Sequence, residues 1–204
     1  MNRFHRILLA GALAAAVAVP VAAQQQQLSD NTTMLKAVRE RDGATVERLL
    51  ADPSSSAMNA RDTSTGEGPL HIVVRRRDIE WLAYMLGRGA RADVRSNDGS
   101  APLHLAASIG WTEGAQQLLA RRASVDITNS RGETPLILAV QGRQVDMITL
   151  LIQQGANPRH TDSVAGYSAL DYARQDRRDP TIARMLEAAP VRQQTQQQVY
   201  GPTG

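Results

Sequence analysis

The leucines at 70, 103, 136 and 170 stand 33, 33 and 34 residues apart, each inside the same four-residue phrase. The phrase is open in Gly68-Pro69-Leu70-His71, Ala101-Pro102-Leu103-His104 and Thr134-Pro135-Leu136-Ile137, and eroded in Ser168-Ala169-Leu170-Asp171. Self-similarity at this period constrains the chain more than any other feature. It marks helix pairs stacked side by side, each burying its apolar face against the next. Three residues after each leucine comes a compact residue, Val73, Ala106, Ala139 or Ala173, and twelve further on comes Met85, Leu118, Leu151 or Met185. Ala37 and Leu49 obey the same offset and add a fifth unit at the front, with Met34-Leu35-Lys36-Ala37 in place of the phrase.

Each unit divides on physical grounds. Proline falls at the first position of a short helix, where its missing N–H is no loss and its φ is already helical. Where Thr134 precedes it, the hydroxyl can cap that helix. The first helix is expected to end near Asp42-Gly43, Gly110 or Gly142. The second carries an apolar stripe at helical spacing, as in Val145, Ile148, Leu151 and Ile152. A turn follows at Gly89-Ala90, Arg122-Ala123 and Gly155-Ala156. An extended finger then leads to a glycine at 66, 99, 132 or 166, with Asn97-Asp98-Gly99 the clearest turn signal. With 42% hydrophobic and only 3% aromatic residues, the core must be aliphatic, which suits helix-on-helix packing.

The run Asp98-Gly99-Ser100-Ala101-Pro102-Leu103-His104-Leu105-Ala106-Ala107, recurring at this interval, resembles the ankyrin repeat family. The resemblance covers residues 30–188. It implies an all-α ankyrin-repeat solenoid of about five helix-turn-helix units with β-hairpin-like finger loops. The units fall at 30–62, 63–95, 96–128, 129–162 and 163–188. The outermost units depart from the phrase, as units with one face in water must. Surface turns are expected to lengthen around Pro53-Ser54-Ser55-Ser56 and, by one residue, near Asp162-Ser163-Val164.

Residues 1–23 have the layout of an export signal. Arg3 and Arg6 precede an uncharged run from Ile7 to Val19, Pro20 breaks it, and Val21-Ala22-Ala23 offers small residues for cleavage before Gln24. Residues 24–29 are expected to be a flexible link, and 189–204 a disordered glutamine-rich tail. The expected location is the periplasm or beyond it; an uncleaved segment would instead tether the chain to the inner membrane. After cleavage no span is expected. The absence of cysteine in an exported chain fits a periplasm better than a disulfide-stapled secreted module. There are 23 basic and 20 acidic residues. Removing Arg3 and Arg6 leaves 21 against 20, so near-neutrality argues against nucleic acid.

The sequence holds no phosphate loop, dinucleotide fingerprint or glycine-bracketed serine, so no enzyme activity, metal or cofactor is expected. The resemblance gives His71 and His104 a structural role, bonding to neighbouring backbone and bracing adjacent units. It also implies a protein partner held in the groove between the fingertips and the first helices, with the chain itself a monomer. Carried onto this sequence, the candidate contact residues are Arg75, Arg76, Asn97, Asp98, Ile109, Trp111, Arg131, Gln141 and Arg143. Arginine and tryptophan are favoured where binding energy concentrates. A narrower alternative role is that of an accessory or immunity factor acting on one envelope enzyme or toxin. Trp81 and Tyr84, on a second helix, are expected to be partly buried.

Overall fold

The computed structural model describes residues 21–51, 55–176 and 180–190, with side chains from residue 29 onward. The expected signal segment lies almost wholly outside these residues, as does the tail beyond 190. Helices follow one another in pairs: α1 Val21–Glu40 with α2 Gly43–Leu50, α3 Pro69–Arg75 with α4 Ile79–Gly87, α5 Pro102–Ser108 with α6 Thr112–Ala120, α7 Pro135–Gln141 with α8 Val145–Gln153, and α9 Ala169–Gln175 with α10 Thr181–Glu187. A 3₁₀ turn spans Ala57–Asn59. The first helices α1, α3, α5, α7 and α9 pack in that order as an inner row, and α4, α6 and α8 pack in order behind them.

The offsets read from the sequence are the spine of this stack. Leu70, Leu103, Leu136 and Leu170 are buried, and so are Val73, Ala106, Ala139 and Ala173 one turn on. Met85, Leu118 and Leu151 are fully buried under the second helices. Met185 is only partly buried, since among the described residues no helix packs beyond α10 to cover it. Small residues on the inner helices let their backbones approach, while the longer side chains fill the space between rows. Helix starts are set locally. Asp42, Asp78, Thr134 and Ser168 each accept a hydrogen bond from a backbone N–H of the first turn they precede, and Pro69, Pro102 and Pro135 open α3, α5 and α7.

One expectation changes. The link expected at 24–29 is helical, since α1 runs unbroken from Val21. Alanine and glutamine are good helix formers and nothing in this stretch interrupts them. The fingers close on themselves as hairpins do, with Asp62 N–H to Glu67 O at 2.9 Å, Ser96 to Ser100 at 2.9 Å, Asn129 to Glu133 at 3.1 Å and Asp162 to Tyr167 at 3.0 Å. Among the described residues they nevertheless form only one isolated bridge, Thr161 with Ser168, because each arm is too short to carry a ladder. Trp81 is buried, Tyr84 is half-buried, and the two rings meet edge-on at 5.5 Å.

The turns between paired helices hold a feature the sequence did not advertise. The left-handed position is Arg41 (φ 59°), Arg77 (φ 54°), Gly110 (φ 65°) and Arg143 (φ 52°) in successive units. A non-glycine residue costs roughly 1–2 kcal/mol there. Each of these arginines reaches into the following unit: Arg41 to Asp78 at 3.2 Å and Glu80 at 3.0 Å, Arg77 to the carbonyl of Ile109, and Arg143 to Asp176. The strained turn places a long cation where it ties one unit to the next.

Candidate functional site

The groove between the fingers and the inner helices is built by repetition. Each finger docks on its predecessor through one backbone hydrogen bond: Asn97 N–H to Thr65 O at 2.8 Å, Ser130 to Asp98 at 3.0 Å and Ser163 to Arg131 at 2.8 Å. Side chains of the fingers fix the tips. Asp62 accepts from the N–H groups of Ser64 and Thr65, Asn129 from those of Arg131 and Glu133, and Asp162 from those of Val164, Ala165 and Gly166. Such local bonds pre-shape a loop, so little ordering is left to be done on binding.

Behind the tips, two imidazoles join finger to helix to next finger. His71 Nδ1 accepts from Gly68 N–H at 3.1 Å while its Nε2–H donates to Ser100 O at 2.9 Å. His104 repeats this with Ala101 N–H at 3.0 Å and Glu133 O at 3.0 Å. Both rings are buried. Burial holds both below the ordinary histidine value of 6.5, opposed by the backbone carbonyls that accept from Nε2–H. They are therefore neutral bridges, as the resemblance implied. Where the phrase loses its histidine, Thr134 caps α7 alone, and Ser168 and Asp171 cap α9 reciprocally. Among the described residues no group of three His, Asp or Glu side chains could hold a metal ion.

The candidate contact residues divide into two sets. Asn97, Asp98 and Arg131 are exposed on the fingertips, and Arg75 and Gln141 are exposed at the ends of α3 and α7. Together with half-buried Leu105 and Leu138 they surround the groove. Its central hollow, ≈ 200 Å³, is lined by Glu67, Arg75, Asp98, Ser108, Leu105 and Leu138 among others. Asn97 also donates to Ser64 O at 2.9 Å, Arg75 pairs with Glu67, and Arg131 lies 3.5 Å from Glu133.

The other four are engaged by the fold. Trp111 is 7% exposed. It precedes α6, and its indole lies against Gly114, where an added Cβ would strike the ring. It belongs to the core rather than the groove. Arg76 donates to the carbonyls of Val38 at 2.6 Å and Arg39 at 2.7 Å, closing the C-terminal end of α1. Arg143 is held by Asp176. Ile109 is half-buried against the core, and its carbonyl is taken by Arg77. The periodic pattern located these positions but could not say which way each side chain turned.

Sequence reasoning missed Val164 at the tip of the fifth unit, which is 67% exposed beside Tyr167 at 43%. The extra residue near Asp162 was its only signal.

The repeated fold agrees with comparison to known families. A family model described as ankyrin repeats (3 copies) matches residues 34–129 and again 109–194. The chain belongs to the ankyrin repeat family. No curated protein matches it. Ankyrin repeats are generally protein–protein interaction modules. Among the described residues no helix is long and apolar enough to cross a membrane.

Proposed function

We propose that this chain is an exported, non-catalytic binding protein that holds a partner protein in the groove between its fingertips and inner helices. The observation carrying this reading is the contrast between the two sides of the inner row. Toward the second helices, the leucine spine is closed. Toward the fingers, a preorganised row of exposed polar side chains, Asn97, Asp98, Arg131 and Gln141, stands over the half-buried Leu105 and Leu138. A rigid mixed surface of that kind suits a polypeptide partner. The export half of the reading is supported by Arg3 and Arg6, the uncharged run to Val19 and the small residues before Gln24.

A photo-cross-linking residue placed at Ser108 or Gln141, and as a control at Gln116 on α6, tests the groove in host cells. Adducts to another protein are expected from the first two positions only. Equal adducts from Gln116 would contradict the assignment. Recovery of the chain from the envelope with Gln24 as its first residue supports export; an intact N-terminus in the cytosol contradicts it.

A further inference from the structure

The groove does not present one chemistry along its length. In the middle, Glu67 is paired with Arg75, but Asp98 has no cationic partner among the described residues. Its carboxylate accepts instead from Ser96 and from Ser100 Oγ at 2.9 Å. It remains exposed at the edge of a hollow of ≈ 200 Å³, against about 30 Å³ for one water. That is a carboxylate without an ion pair beside a space for a side chain.

Two units further on, the fifth finger presents the opposite character. Val164, Ala165 and Tyr167 are all exposed. The tip cannot fold inward to hide them. Asp162 binds the three N–H groups of Val164, Ala165 and Gly166 at 2.8, 2.6 and 3.2 Å, and accepts Tyr172 OH at 2.7 Å. Tyr167 rests edge-on against Tyr172 with ring centres 5.6 Å apart. Single exposed apolar residues are ordinary, but a rigid cluster of them is a contact surface.

We infer that the partner presents an extended polypeptide segment with an apolar or aromatic side chain seated on Val164 and Tyr167 and an arginine or lysine at Asp98. Packed helices lie about 8–10 Å apart, so two units separate these points by roughly 20 Å. A strand advancing about 3.3 Å per residue covers that in about six residues. The inference rests on the groove reading above and adds the chemistry of its occupant.

Panning a displayed library of random twelve-residue peptides on the full chain tests it. Enriched peptides are expected to carry a basic residue about six positions from a large apolar one. For a synthetic copy of the most enriched peptide, Asp98→Asn and the pair Val164→Ser/Tyr167→Ser should each weaken anisotropy-measured binding about tenfold or more. Both sites are exposed, and circular dichroism confirms folding of each variant. No enrichment, enrichment without the paired pattern, or wild-type binding by either variant overturns the proposal. If such peptides are nonetheless weakened by Gln141→Lys or Arg131→Glu, the groove reading survives alone; if no groove substitution matters, it falls too. A wild-type dimer dissociated by Tyr167→Ser would assign the patch to a second copy. A chain ending at residue 190 with tenfold higher peptide affinity would assign it to the chain's own tail. Either result also overturns the proposal.

Discussion

Acidification below the ordinary histidine value should loosen the stack, because His71 and His104 must be neutral to bridge the units. Each accepts a backbone N–H at Nδ1, a bond that protonation of Nδ1 destroys. Burial lowers both values relative to 6.5. The folded state therefore binds fewer protons than the unfolded chain below that pH. Their contribution is complete above pH about 6.5 and declines as the pH falls through it. One pH unit of such mismatch is worth at most about 1.4 kcal/mol per group, so the two together can remove up to about 3 kcal/mol by pH 5.5. A domain's whole stability is roughly 5–15 kcal/mol, so the effect is large. The carboxylates of Asp62, Asp98, Asp162 and Asp171 are all held below 3.8 and act only at lower pH. Urea unfolding followed by far-ultraviolet circular dichroism at pH 7.5, 6.5 and 5.5 measures the slope. Replacing His71 and His104 together by glutamine should lower stability at pH 7.5 and flatten that slope. An equal slope in the double variant, or none in the wild type, would refute the reasoning.

Other substitutions probe the same structure. Gly99→Ala should cost about 2 kcal/mol in thermal unfolding, since φ is +76° and the new Cβ would lie 2.7 Å from Ser130 N. Trp111→Ala should destabilise by about 3–5 kcal/mol, as loss of a buried aromatic does, and leave peptide affinity unchanged once folding is corrected for. Arg76→Ala should cost about 2 kcal/mol by stripping the carbonyls of Val38 and Arg39 of their donor, read as a lower urea midpoint.

The leucine spine was legible because periodicity reports burial directly: a position repeated every 33 residues meets its own copy in the next unit; the bridging role of His71 and His104 was implied only by the family resemblance. Trp111 was misjudged because its offset places it beside a turn, where exposure is the default. Gly114, three residues on, was the available sign that an indole could lie flat against α6. Arg76 and Arg143 illustrate a different limit. Their positions at helix ends were evident, but which long side chain turns back to a carbonyl or carboxylate depends on neighbours brought near only by stacking. The helix through 24–29 follows local propensity, which glutamine-rich composition had disguised as linker. Val164 at the fifth fingertip escaped notice because the extra residue lengthens that step to 34 without saying which side chain it turns outward.

Amide hydrogen exchange of the full chain with and without a saturating panned peptide is the most direct test of binding in the groove. Slowed exchange is expected across the fingers at 62–67, 96–100, 129–133 and 162–167 and along α5 and α7. Protection confined to the outer faces of α4, α6 and α8, with the fingers unchanged, would contradict it.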